Sequence, residues 1–362
     1  MSPAFSVPVF PPSAETGSPA PAGPDLGQLD FLGRMPIPLR RAFKAGLDRT
    51  VSAHRQAAGV SLDCCFLTGA EWYHPFDGLV SAAALSGEGL PNMLVSTFHH
   101  DILSPDLLRH YTPSAVAEPA LHPACQAAGL ADPLGAFRLF AVIPFVFLVD
   151  EKRLKGRPCP RVWQDLLDPC WNDEIVFGGW RPNPDTAYQD YNSYLLLSLL
   201  QRFGTDGLAA FAGNVRHLQH NILTATRAGS NSTSVGTIAI LPWLQAELCP
   251  RRERTRVVWP EDGALAMPIA YLVKPEAKPR VQALTDYLTG ADLGRVLARN
   301  CYPPAGLAVT DAFPAGARLQ WPGWDYARSH DLAAESRLAA ETFFAAWYRE
   351  QAANTGGVQA CS

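Results

Sequence analysis

The sequence predicts an α/β fold in which short buried strands alternate with amphipathic helices. Apolar runs at 62–67 and 93–98 have the length and composition of buried strands. Each run is followed directly by a polar or aromatic stretch, which begins at Thr68 after the first run and at His99 after the second. Strands and helices in this order, with chemically rich loops at the strand ends, are typical of a doubly wound α/β lobe.

Composition and charge exclude several classes of protein. The chain has 362 residues, 48% of them hydrophobic and 18% charged, which is enough for a sizeable core in two or three domains. A net charge of −4 leaves no broad basic surface, so we expect no nucleic-acid partner. The longest apolar runs, such as 140–149, are far shorter than the roughly 20 residues that span a bilayer. We therefore expect a soluble protein without membrane insertion.

The amino-terminal segment and the cysteines bear on the compartment. Residues 1–25 lack an early Lys or Arg and a sustained apolar stretch, so no export signal is recognisable, and residues 1–30 are predicted to be a disordered leader. The sequence as given predicts a cytoplasmic protein, or a periplasmic one if a leader was missed or removed. The eight cysteines show neither a C-x-x-C pair nor zinc-like spacing, which favours reduced thiols and leaves disulfides open.

In the first half of the chain, a helix begins near Leu39, because apolar residues recur at i+4 spacing, and it ends at Gly59. The segment before it, 31–38, is predicted to be a loop. Rich in Phe, Val and Ile, 139–149 is the most strand-like run.

The second half continues the alternation. Strands are predicted at 174–177, 235–241 and 269–273, and helices at 186–204, 208–218, 281–290, from Asp292, and at 332–351. The tail at 352–362 is predicted to be flexible.

Four stretches in a fixed order carry a resemblance to a known family. They are a crossover strand at 140–149, a W-x-D-L-L-D-P-x-W segment at 163–171 with its following strand at 174–177, a returning crossover at 258–268, and Y-L-T-G at 287–290 with C-Y-P-P at 301–304. In these motifs the chain resembles the type II periplasmic binding proteins, the solute-binding components of ABC importers. The similarity is greatest to the branch of ferric, thiamine and polyamine binders.

The resemblance implies a two-lobed fold in which each lobe is a sheet flanked by helices and two crossovers form a hinge. Lobe one would comprise 31–145 and 262–351, and lobe two would comprise 146–261. The implied function is to bind a small polar solute, such as an anion or a metal complex, in the cleft between the lobes. An ABC permease is the implied protein partner, and we expect a monomer without a cofactor.

The expected binding residues follow the strand ends, where aromatic faces, glycines and an arginine fork suit a small polar ligand. They are Gly69, Glu71, Trp72, Thr97 and Phe98 from lobe one, Gly179, Trp180, Arg181, Thr186 and Tyr188 from lobe two, and Ser230, Asn231 and Ser232 as additional hydroxyl and amide groups. A purely structural turn and helix cap would also explain much of 178–186.

Metal sites receive less support. Ferric binders of this family use adjacent tyrosines, and this sequence has no Y-Y pair; the stretch 227–236 was expected to occupy the corresponding place. The run 99–101 (His-His-Asp) lacks further ligands. His217 and His220, expected on one helix face, lack a carboxylate at helical spacing. We therefore expect no metal site formed by the protein alone.

Two alternative functions remain open from the sequence. One is an enzyme on the same fold that uses Cys64 or Cys65 as a nucleophile, with His74 as the nearest base in the sequence. The other is a cytoplasmic solute sensor or carrier that never meets an importer. Buried thiols at a strand are the commoner arrangement, so no catalytic residue is predicted.

Overall fold

The structure is a computed structural model, which describes residues 26–66, 86–87, 89–97, 100–115, 120–178 and 190–359. The strands in these ranges are β1 (Phe31–Gly33), β2 (Cys64–Phe66), β3 (Met93–Thr97), β4 (Arg138–Asp150), β5 (Ile175–Gly178), β6 (Val215–Gln219), β7 (Ile238–Pro242), β8 (Thr255–Val258), β9 (Ala264–Val273) and β10 (Leu319–Gln320). The α-helices are α1 (Arg40–Ala58), α2 (Pro105–Leu108), α3 (Pro123–Ala127), α4 (Asp190–Gly213), α5 (Asn221–Arg227), α6 (Trp243–Glu247), α7 (Gln282–Thr289), α8 (Ala291–Arg299), α9 (Trp324–Ser329) and α10 (Leu332–Gln359). Within the described ranges, no helix has the length and apolar character needed to cross a membrane.

The strands pair in the order β2-β1-β3-β9-β4-β7-β5-β6, with β8 beside β4 and β10 beside β9. Two halves repeat one arrangement, β2-β1-β3-β9-β4 in the first lobe and β6-β5-β7-β4-β8 in the second. In each half three parallel strands are followed by an antiparallel strand. The long strands β4 and β9 serve as the two crossovers, which confirms the predicted two-lobed α/β fold.

The crossover strands are apolar along almost their whole length. All residues of β4 after Arg138 are buried, and so are all ten residues of β9. Strands covered on both faces carry continuous apolar runs instead of an alternating pattern, which is why 139–149 was recognisable from the sequence.

Two predicted elements are wrong. The expected loop at 31–38 contains β1, which pairs with both β2 and β3 and therefore lies inside the first sheet. Only three residues long, β1 has no local pattern that marks a strand, and its pairing partners are distant in the sequence. The expected helix at 208–218 ends at Gly213, and Val215–Gln219 forms β6.

The helix α4 corresponds to the first of the two predicted helices together with the beginning of the second. It contains one residue with non-helical dihedral angles, Gly204, at φ 66° and ψ −172°. A positive φ is readily adopted by glycine, so the chain kinks where the sequence indicated a helix end.

The carboxy-terminal helix α10 lies on the second half of the sheet. The ring centroid of Phe343 is 5.4 Å from that of Phe177 in β5, and Trp347 Nε1 donates a hydrogen bond to the Val215 carbonyl oxygen at 2.8 Å. The expected assignment of 332–351 to lobe one therefore fails, because this helix covers strands of the second half. It also continues to Gln359, past the predicted end.

Candidate ligand cleft

The strand registers locate a gap between the two lobes. Thr97, at the carboxyl end of β3, is opposite Ile269, which is itself opposite Ala141 of β4. Pro242, at the carboxyl end of β7, is opposite Phe145 of β4. The carboxyl ends of the parallel strands in the two lobes are thus four residues apart along β4, or about 13 Å at about 3.3 Å per residue. Ligands of open α/β sheets bind at this edge.

The floor of this gap is formed by the middle of the two crossover strands, where the side chains are apolar and buried. Pro144 is opposite Ala266 in these strands. The carbonyl oxygen of Ala266 accepts a hydrogen bond from the fully buried Tyr194 hydroxyl at 2.7 Å. Polar contacts with a ligand must therefore come mainly from the strand ends.

The first-lobe wall contains a buried cation. Arg34 follows β1 directly and is completely buried, with its Nε atom donating to Ser96 Oγ at 2.7 Å and its backbone N–H donating to the Val95 carbonyl oxygen at 3.0 Å. Thr97, the last residue of β3, is 3% exposed. This arrangement places a guanidinium at the carboxyl ends of the strands of the first lobe.

The second-lobe wall contains neutral amides. The side-chain oxygens of Gln219, at the end of β6, and of Asn221, which opens α5, are buried and have no hydrogen-bond partner among the described residues. Buried polar groups nearly always have a partner, so the Asn221 amide is suited to bind a group in the gap. The Gln219 side chain instead lines a small cavity within the second lobe, together with Thr224 and Val235. Gly178, at the end of β5, permits the approach of Asn221, because a Cβ atom at position 178 would overlap Asn221 Oδ1.

The expected binding residues fall into three groups. Thr97 lies at the edge of the gap. Nine expected residues fall outside the described ranges, namely Gly69, Glu71, Trp72, Phe98, Gly179, Trp180, Arg181, Thr186 and Tyr188. The remaining three, Ser230, Asn231 and Ser232, are described and lie elsewhere.

Ser230, Asn231 and Ser232 precede β7 and lie at the opposite edge of the second sheet. Arg153, which follows the carboxyl end of β4, donates to the Ser232 carbonyl oxygen at 3.0 Å. That end of β4 is five residues beyond Phe145, or about 16 Å from the gap. The structure therefore does not bring these three residues to Thr97. It likewise places 227–236 away from the strand ends, where a tyrosine pair would have to lie.

Sequence reasoning missed Arg34, Gln219 and Asn221. Arg34 was overlooked because 31–38 was interpreted as a loop. Had β1 been predicted, the position of Arg34 directly after a strand would have indicated a cleft residue. The predicted helix over 208–218 concealed the strand end at Gln219.

The cysteine alternative finds no support in the local environment. Burial, together with the nearby carboxylates of Asp30 and Asp63, raises the pKa of Cys64 to about 12, and burial also raises the pKa of Cys65. Both thiols therefore stay protonated near neutral pH, whereas a nucleophilic cysteine needs its thiolate form. His74 lies outside the described residues.

The histidine pair considered as a metal site is not on one helix. His217 is exposed in β6, whereas His220 caps α5 by accepting a hydrogen bond from the Ile222 N–H through Nδ1. His99 is not described, nor are the side chains of His100 and Asp101. In the part of the chain that the structure describes, no three His, Cys, Asp or Glu side chains cluster as a metal site.

Comparison with known proteins identifies the family. Residues 88–330, more than half of the chain, match the family described as bacterial extracellular solute-binding proteins. The chain belongs to this family. The members are binding proteins rather than enzymes, and the family description places them outside the cytoplasm. No curated protein matches the chain.

Solved structures with the same fold include ferric-binding proteins. The Bordetella ferric binding protein is 15% identical, with a TM-score of 0.56, and the match covers 88% of this chain and 99% of that one. The Trichodesmium protein IdiA (FutA), solved with iron and citrate ligands, is 12% identical, with a TM-score of 0.57 and coverage of 88% and 98%. Apo FutA2 from Synechocystis is 15% identical, with a TM-score of 0.57 and coverage of 88% and 100%. These matches confirm the predicted type II fold.

Proposed function

We propose that this solute-binding protein holds a small polar anion, free or chelating a metal ion, in the cleft between its lobes, and delivers it to an ABC permease outside the cytoplasm. The observation that carries the proposal is the pairing of chemistries across the gap. The buried Arg34 guanidinium lies at one edge, and the Asn221 amide, whose oxygen has no hydrogen-bond partner among the described residues, lies at the other.

An anion suits the first wall because a guanidinium donates two parallel hydrogen bonds to a carboxylate or phosphate. A hydroxyl or similar donor group suits the second wall, because the unpartnered atom there, Asn221 Oδ1, is an oxygen. A hydroxycarboxylate such as citrate carries both kinds of group. The Trichodesmium structure, which holds iron and citrate, supports this class of solute.

A bare ferric ion suits the site less well. The sequence lacks adjacent tyrosines, and the described residues contain no cluster of metal ligands. A metal would therefore enter as a complex whose anion supplies most of the ligands.

The small number of connections between the lobes favours closure by a hinge motion. The two edges are about 13 Å apart. Within the described ranges, the lobes are connected by two strands and by the segment from α9 to α10. A solute that contacts both edges only when they approach would shift the protein toward a closed state.

A thermal-shift comparison tests the proposal. Citrate, ferric citrate, free ferric ion, spermidine and thiamine are each added, and citrate or its ferric complex is expected to raise the melting temperature. At one hundred times its dissociation constant a ligand stabilises the fold by about 2.7 kcal/mol. A rise with spermidine or thiamine alone would contradict the anionic class.

Matched amide variants locate the site. Asn221→Ala is expected to weaken citrate binding by about tenfold, since one hydrogen bond to a charged ligand contributes about 1.5–3 kcal/mol. Gln282→Ala, which removes an exposed amide that donates to Asp286 far from the cleft, should leave binding unchanged. Equal citrate affinities of the two variants would show that Asn221 does not contact citrate.

A further inference from the structure

A second cavity, of about 470 Å³, lies within the first lobe. It is enclosed by the start of β4, by Tyr271 of β9, by the junction of α7 and α8, and by the segment 304–308. Arg138 and Tyr271 are opposite each other in the sheet, three residues from Ala141 on the side away from the second lobe. Its polar end is thus about 10 Å farther from the second lobe than the cleft edge is.

The walls of this cavity combine apolar side chains with polar groups. They include Leu121, Leu139, Phe140 and Leu288, with Leu307 half exposed at the margin. An exposed leucine beside a concave apolar surface indicates a place where an apolar group can be buried. The volume also lies in the range of about 300–1,000 Å³ that small-molecule sites occupy.

One end of the cavity is electropositive. Arg138 and Lys278 line it, and in the described part of the chain neither forms an ion pair with a carboxylate. The only lining carboxylate among the described residues, Asp132, is neutralised by an ion pair with Arg328. It also accepts hydrogen bonds from the backbone N–H groups of Leu134 and Phe137, each at 2.9 Å.

Two further groups strengthen this end. The Tyr271 side chain is 5% exposed and borders the cavity beside Arg138. Gly290 precedes the nine-residue helix α8 and supplies no capping side chain to its first N–H groups. Two cations, a tyrosine hydroxyl and the amino end of a helix thus border one chamber.

We propose that this cavity is a second ligand site, which takes a monocarboxylate with an apolar body. The carboxylate binds to Arg138 and Lys278, and the apolar body lies against the leucines. Strongly hydrated multivalent anions are disfavoured, because the leucine walls offer no compensation for their lost water. The site is independent of the cleft and of the solute bound there.

Isothermal titration with octanoate tests the proposal. Octanoate is expected to bind, octanol to bind about tenfold more weakly because it lacks the charge, and inorganic phosphate not to bind measurably. The double variant Arg138→Gln/Lys278→Gln should lose affinity for octanoate by about tenfold or more. Arg337→Gln removes an exposed arginine of α10 and serves as the matched charge control, with unchanged affinity expected.

A variant that fills the cavity with a larger side chain distinguishes loss of the binding site from unfolding of the protein. Ala131→Phe keeps both cations but occupies the chamber, so octanoate binding should disappear while the circular dichroism spectrum is retained. The cleft variant Asn221→Ala should bind octanoate as the parent protein does. Absence of octanoate binding in the parent, or equal binding by the parent and the filled or double variant, would overturn the proposal. A loss in Asn221→Ala would place octanoate in the cleft and would also overturn it.

Discussion

The two lobes share one strand order but present different chemistry at the ends of their parallel strands. The first lobe ends in a buried arginine that bonds to Ser96, whereas the second ends in a glycine and two amides. The common topology places the two sets of strand ends on either side of the same gap. Under the proposed function, the first wall would recognise charge and the second would form neutral hydrogen bonds.

The largest expected effect on solute binding is that of a substitution at Gly178 in the second wall. Gly178→Ala places a methyl group against Asn221 Oδ1, so the second wall must rearrange and solute binding should fall by about a hundredfold. Titration calorimetry measures this change. Gly306→Ala is the matched control, because a Cβ atom there meets nothing within 4 Å. Equal binding by the two variants would show that the second wall does not contact the solute.

A smaller effect is expected from the first wall. Arg34→Lys keeps the charge but removes the planar fork, so affinity for citrate should fall by about ten- to thirtyfold, while binding of an uncharged analogue should change little. Calorimetry with both ligands measures the difference. An equal loss for both ligands would indicate a disturbed fold instead of a lost anion contact.

The first lobe contains an ion pair with a buried carboxylate at the edge of the sheet away from the cleft. Arg280 Nη2 donates to Asp30 Oδ2 at 2.7 Å. Burial by itself raises the pKa of Asp30, but the hydrogen bonds from Arg280, the Asp63 N–H and Asn92 outweigh it and hold the pKa below its usual value. Asp30→Asn should therefore lower the free energy of unfolding by about 2 kcal/mol at pH 7.

The pH dependence of that cost has a definite sign. Because the folded pKa of Asp30 is lowered, its stabilisation is complete above about pH 4 and is lost as the pH falls through the folded value. Asp262, which precedes β9, behaves oppositely, because burial outweighs its bonds to the Trp163 N–H and Arg202 and raises its pKa. Urea unfolding at pH 7 and pH 3 should show the cost of Asp30→Asn shrinking at the lower pH. The cost of Asp262→Asn should not shrink. A pH-independent cost for Asp30→Asn would contradict this account.

The smallest expected effect is at the junction of the lobes. Tyr194→Phe leaves the Ala266 carbonyl oxygen without its donor, at a cost of about 1–2 kcal/mol in the free energy of unfolding. Denaturant unfolding measures this cost, and Tyr348→Phe, which alters an exposed tyrosine of α10, is the matched control. Equal costs for the two variants would show that the Tyr194 hydroxyl does not stabilise the junction.

Much of the fold could be predicted from local patterns, whereas much less of the site could. The run at 139–149 is apolar throughout because β4 is covered on both faces, and four family motifs in order indicated two lobes and two crossovers. Thr97 was expected at the cleft because it ends a clear strand. Arg34 and Gln219 were not, because the strands that precede them carry no periodic signal of their own.

The sequence by itself determined the alternation of strands and helices, the two apolar crossovers and the family, since these depend on composition and spacing along the chain. Only the tertiary structure decided that Phe31 pairs with Cys64, that Ser230 lies at the wrong edge of its sheet, and that α10 covers the second lobe. The physical reason is that a three-residue strand has too few local contacts to specify its own conformation. Its neighbours in the sheet stabilise it, and they are distant in the sequence.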